Sequence, residues 1–183
     1  LVADATVMNI NIHFLQDGDM ENTEMKPLLY GGKFNGVLDG HDHVIQNISI
    51  KETISGTTPV GLVSYLDSSG VIKNLGVESG LIDVTYTNSN DGYGIGALAG
   101  NADGPAQIIR CWNGAAVTGK ASGSGAKGLS ISGIVGRGYN NTIIDSCYNI
   151  GTITGDNHAA GVNDWGQSGP GGQIYNTFNA GKL

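Results

Sequence analysis

A six-residue phrase recurs five times along this chain, and that recurrence restricts the fold to architectures made of stacked units. The copies are Ile45-Gln46-Asn47-Ile48-Ser49-Ile50, Ile72-Lys73-Asn74-Leu75-Gly76-Val77, Ile108-Ile109-Arg110-Cys111-Trp112-Asn113, Ile144-Asp145-Ser146-Cys147-Tyr148-Asn149 and Ile174-Tyr175-Asn176-Thr177-Phe178-Asn179. Their starts are separated by 27, 36, 36 and 30 residues, the spacing of solenoid coils or propeller blades. A second phrase falls between the copies: Val60-Gly61-Leu62-Val63, Gly96-Ala97-Leu98-Ala99-Gly100, Gly133-Ile134-Val135-Gly136 and Ala160-Gly161-Val162. Short apolar runs bounded by Gly, Asn, Asp and Ser read as buried strands, and no segment sustains a helical period. A propeller needs four strands per repeat and closes on itself. The variable period and the identical phrase in each repeat favour open stacking, so the expected fold is all-β, a right-handed parallel β-helix.

Glycine is abundant, 31 of 183 residues against 4 prolines, without the period of collagen, and it suits corners and close backbone approaches. The balance of 16 acidic to 9 basic residues offers no basic stripe to follow phosphates, so nucleic acid is not an expected partner. No apolar stretch is long enough for a membrane-spanning helix. The first residue is Leu1 rather than a methionine, no signal peptide is read in the sequence, and Leu183 falls within a repeat phrase. The expectation is a mature product or a fragment of a longer protein: a single β-helix domain over 1–183, with 1–33 an atypical first coil or cap and 34–183 the repeat coils.

Residues 34–50 carry a more specific signature, Phe34-Asn35-Gly36-Val37-Leu38-Asp39-Gly40-His41-Asp42-His43-Val44-Ile45-Gln46-Asn47-Ile48. With the glycine-fenced phrases and the Ile-x-x-Cys-aromatic-Asn phrases, it resembles the repeat regions of bacterial surface and secreted proteins that carry GLUG-type motifs. Asp42 stands where that pattern has Gly, and Val60-Gly61-Leu62-Val63-Ser64 lacks the closing Gly. The resemblance implies a parallel β-helix in an extracellular or cell-surface setting, as an adhesin-like region or an accessory region of a secreted peptidase. It names no activity. Within the signature, Asp39-Gly40 reads as a turn, Asp capping backbone donors and Gly accepting positive φ.

Stacking the phrases in register turns each position into a column. One column holds Ile48, Leu75, Cys111, Cys147 and Thr177 and reads as core; another holds Ile50, Val77, Asn113, Asn149 and Asn179, core passing into an asparagine ladder. Between them, Ser49, Gly76, Trp112, Tyr148 and Phe178 fall on the opposite face by strand alternation. Trp112, Tyr148 and Phe178 are therefore the candidate binding residues, a surface for sugar rings or a partner protein, or else rings that cover the sheet. Trp165, read as a loop aromatic, carries the same two readings. Cys111 and Cys147 share a column whose coil spacing of about 4.8 Å admits a disulfide, though buried free thiols fit equally.

Catalysis has weaker support. Asp156, His158, Asp164 and Asp145 make one loose acidic group and His41, Asp42 and His43 another, but each lies in a turn where Asp and His are ordinary. Asp17, Asp19 and Glu21 alternate without the glycine and distal Glu of a calcium loop. No metal-ligand spacing and no cofactor motif is visible, so no metal, cofactor or catalytic residue is expected. The reading is a non-catalytic extracellular binding or scaffold module recognising a host glycan or protein, with association or a neighbouring domain expected at the C-terminal coil. The alternatives are a carbohydrate-active β-helix enzyme, lyase or hydrolase, and an accessory region of a large secreted peptidase.

Overall fold

The computed structural model describes residues 7–8, 11–21, 23–87, 93–122, 128–156, 158–165 and 172–183. All regular structure among them is β, and every strand pair is parallel. The strands form four stacks that wind as an open β-solenoid. The first stack runs Val7–Met8, Leu28–Phe34, Val63–Leu66, Ala99–Ala102, Val135–Gly138 and Asn163–Trp165. The second holds Val37–Gln46, Val71–Val77 and then paired half-strands from each later coil, with Ile12–His13 and Gly18–Asp19 leading into it. The third holds Ile48–Ile54, Gly80–Tyr86, Ala116–Ala121 and Ile153–Gly155, and the fourth Gly94–Gly96, Ser130–Ser132 and His158–Ala160.

The core lies inside the coils as columns of like residues. Leu38, Ile72, Ile108 and Ile144 stack in register and are fully buried, as are Ile50, Ile82, Val117 and Ile153 on the third stack to within 1% exposure. Each such side chain contributes about 1.5–3 kcal/mol of burial, and β-branched residues suit the pleat. The first column ends at Ile174, which is 45% exposed, so the last described coil presents apolar surface to solvent.

The repeated phrase is a kinked strand rather than a straight one. Asn74, Arg110, Ser146 and Asn176 all adopt positive φ, from 47° to 55°, between the two halves of the second stack. Asn occupies this left-handed region at little cost, whereas Arg110 and Ser146 are held there by the coils on either side. The kink also explains where the expected register fails. Ile45-Gln46-Asn47-Ile48 carries the same local shape, Asn47 lying at φ 54°, but there it turns the chain out of the second stack into the third. Ile72 stacks on Leu38, not on Ile45, and Val77 stacks on Ile45. Ile48, Ser49 and Ile50 belong to the third stack, opposite Gly80, Leu81 and Ile82, so none stands in the column expected of it.

Two further expectations change form. The glycine-fenced phrase is a buried corner: Gly96-Ala97-Leu98-Ala99-Gly100 leaves strand Gly94–Gly96, bends at 97–98 and enters strand Ala99–Ala102. In the first-coil signature Asp39 does cap locally, its Oδ1 accepting the His41 N–H at 3.0 Å. Positive φ, however, falls on His41 (49°) and Asp42 (65°) rather than on Gly40. Those residues form an irregularity between Asp39 and His43 that the later coils lack. Gly40 is required for proximity, since a Cβ there would lie 2.8 Å from Leu75 Cα.

Candidate functional site

The kink sets the direction of the side chains that follow it. Cys111 and Asn113 turn inward and are fully buried, and Trp112 between them faces out, half-buried. Tyr148 and Phe178 repeat the placement, Trp112 pairing with Tyr148 and Tyr148 with Phe178. The rings stack nearly parallel, with centroids 5.7 Å apart at 4° for Trp112 and Tyr148, and 5.3 Å at 8° for Tyr148 and Phe178. One coil earlier the position is Gly76, and the Trp112 ring lies over it so closely that a Cβ on Gly76 would sit 2.5 Å from the indole Nε1. Val44, not Ser49, begins the column. Because the stack covers ring faces with ring faces, solvent meets the edges of Trp112 and Tyr148. Phe178 is 57% exposed, and among the described residues no ring stacks on its far side.

Beneath the rings runs the asparagine ladder. Asn113 Nδ2 donates to Asn149 Oδ1 and Asn149 Nδ2 to Asn179 Oδ1, both at 2.8 Å. Each amide also bridges its own backbone two residues on, as when Asn149 Nδ2 donates to Gly151 O at 3.0 Å. Alongside stand Cys111 and Cys147, both buried free thiols. Cys111 Sγ donates to Ile109 O at 3.3 Å, and burial pushes the Cys111 thiol well above its ordinary range, which makes it a poor nucleophile. Because both cysteines are closed to solvent, at most 1% exposed, both thiols should be silent toward a thiol reagent in the folded chain and react on unfolding in guanidinium. Rapid labelling of the native protein would contradict their burial.

Among the described residues, several of the acidic side chains singled out in the sequence serve as hydrogen-bond acceptors between segments. Asp17 Oδ1 accepts the Val44 N–H at 3.0 Å and faces His43 Nδ1 at 3.1 Å; those contacts hold its carboxyl below the usual range, the backbone bond first. Asp19 Oδ1 accepts from Asn47 Nδ2 and from the Glu21 N–H, both at 2.9 Å. These carboxylates fasten the N-terminal segment to the second stack, a structural use of the alternation. Asp156 Oδ2 accepts the Ala121 N–H at 3.2 Å, His158 lies in strand His158–Ala160, and Asp164 lies in strand Asn163–Trp165. Trp165 is also in that strand, in register with Arg137, rather than in a loop.

Among the described residues one set of three potential metal ligands converges: His13, Asp39 and His41, whose donor atoms all lie within 4.8 Å of one another. His13 and His41 are 28 residues apart in sequence, so no short-range spacing announces them. Only the parallel pairing of Ile12–His13 with Leu38-Asp39 brings them together. Asp39 is 5% exposed. Burial opposes its ionisation, but the Asn74 amide, the His41 N–H and Lys73 together outweigh burial and hold its carboxyl far below the usual range.

No family model matches the chain, so the GLUG-type resemblance stands on the residues that carry it. Halomucin from Haloquadratum walsbyi is 31% identical over 110 residues, 60% of this chain and 1% of Halomucin. The chain thus spans a very small part of that relative. A crystal structure from Bacteroides ovatus, provisionally described as an immunoglobulin A1 protease, is similar with a TM-score of 0.46 and 18% identity, covering 94% of this chain and 69% of that one. At that level neither activity nor site residues carry over.

Proposed function

We propose that this chain is a non-catalytic binding or scaffold module of an extracellular or surface protein, presenting its aromatic column to a glycan or a protein partner. The observation that carries the reading is the Trp112, Tyr148 and Phe178 stack, the large side chains that repeat at one outward position. Aromatic surface of this kind offers contact area at low entropic cost. Asp145, Asp156 and Asp164 do not recur at one position from coil to coil as the rings do, and Asp156 accepts the Ala121 N–H, so the aligned feature of this face is aromatic. The partial similarity to Halomucin is compatible with an extracellular module.

The test compares wild type with Phe178→Ala and Tyr148→Ala on immobilised glycans and on candidate host proteins. Each substitution removes stacking of about 0.5–1.5 kcal/mol per ring pair, so both variants should remain folded by circular dichroism while retention falls. Undiminished binding by both would remove the column from the reading. A polysaccharide shortened by the wild-type chain, with that activity lost on Asp156→Asn or Asp164→Asn, would establish the enzyme instead.

A further inference from the structure

The only consecutive positive-φ pair in the second stack, His41 and Asp42, interrupts the strand at the point where a second imidazole waits on the preceding coil. His13 Nδ1 lies 2.9 Å from His41 Nε2, and His41 Nε2 lies 3.9 Å from Asp39 Oδ2. The other carboxylate oxygen, Oδ1, is already committed to the His41 N–H at 3.0 Å and Asn74 Nδ2 at 2.9 Å. Asp39 is thereby oriented by its neighbours and directs Oδ2 toward the histidines, the arrangement in which outer hydrogen bonds fix a ligating group. Lys73 Nζ, 3.1 Å from Oδ2, competes for that oxygen.

We propose that His13, Asp39 and His41 form a binding site for a divalent transition-metal ion, zinc by the character of its donors, that clips the first coil to the second. Two imidazole nitrogens and one carboxylate oxygen suit zinc, which takes nitrogen ligands at about 2.0–2.1 Å in a tetrahedral arrangement. Tetrahedral ligand nitrogens then stand roughly 3.3 Å apart, a few tenths of an ångström beyond the present separation. Both imidazoles are exposed side chains able to make that adjustment. Lys73, partly exposed, turns outward as the ion takes its place on Oδ2, and solvent fills the fourth position. His43 stays outside the site, since its Nδ1 faces Asp17 Oδ1 at 3.1 Å.

Calorimetric titration of the chelator-treated full chain with zinc chloride should show one equivalent bound. His13→Ala and His41→Ala should each weaken binding by more than about tenfold, His43→Ala should leave it unchanged, and Lys73→Met should strengthen it. In wild type, where folding is not in question, zinc should shift the histidine ring resonances of His13 and His41 and leave those of His158 in place. Absence of zinc binding, binding that survives His13→Ala at full strength, or ring shifts confined to His43 and His158 would overturn the site. An affinity unaltered by Lys73→Met would overturn the role of Asp39 as a ligand.

Discussion

Gly136→Ala should be among the most damaging single substitutions this chain can receive, lowering stability by more than about 4 kcal/mol, a size reserved for a few mechanisms. A Cβ at Gly136 would lie 2.5 Å from both the carbonyl carbon and the Cα of Gly94, and against Ile95 N. These are backbone atoms of strand Gly94–Gly96, itself paired with Ser130–Ser132, so nothing can rotate aside. Native domains hold only about 5–15 kcal/mol in total, and for a chain of this size each kcal/mol moves the melting temperature by about 2–4 °C. Gly56→Ala is the matched control, because no atom lies within 4 Å of its Cβ and its φ is ordinary. That variant should melt within about 2 °C of wild type or slightly above it, through the reduced entropy of its unfolded chain. Equal melting temperatures for Gly136→Ala and wild type in a circular dichroism scan would show that the fourth stack does not press on the first as described.

Asn149→Ala should cost about 2–4 kcal/mol, because one amide serves four hydrogen bonds in a fully buried position. Its Oδ1 accepts from Asn113 Nδ2 at 2.8 Å and from the Gly151 N–H at 3.3 Å, and its Nδ2 donates to Asn179 Oδ1 at 2.8 Å and to Gly151 O at 3.0 Å. Truncation leaves one N–H of the fully buried Asn113 amide without its acceptor, the other still donating to Ala115 O at 3.0 Å. The double variant Asn113→Ala/Asn149→Ala should therefore lose less than the sum of the two single variants, the signature of a shared bond. Asn179 is exposed, and water can replace its lost bonds, so Asn179→Ala should cost less than about 1 kcal/mol. Denaturant melts that rank Asn179→Ala level with Asn149→Ala would contradict the ladder.

The aromatic and asparagine columns were legible because Trp112, Tyr148 and Phe178, like Asn113, Asn149 and Asn179, recur at fixed offsets in phrases that stack in the same sheet. The first coil was not. Asn47 and Asn74 share one backbone shape, φ 54° and 52°, yet one turns the chain between stacks and the other kinks a strand within a stack. A local phrase reports the bend but not which bend it is. The glycine-fenced runs were visible as buried apolar segments, whereas their role as corners depends on backbones of different coils meeting, which no short window contains. The same limit hid His13 beside Asp39 and His41, since their proximity comes from strand pairing rather than spacing. Trp165 looked like a loop residue because its strand is three residues long and flanked by polar and glycine-rich sequence.

The asparagine ladder has a polarity that apolar columns lack. Every link runs the same way, the amide nitrogen of one coil giving its proton to the oxygen of the next, so the chain of amides is vectorial and its two ends are chemically different. At Val77 the ladder meets hydrocarbon, and its last amide, Asn179, gives one N–H to Gly181 O at 3.0 Å and carries a second. A strand laid on that end is matched by an acceptor at the same register, whereas two such ends brought together set donor against donor. A coil stacked there would meet the ladder in one direction only, written into the orientation of the amides inside the solenoid rather than into any surface charge.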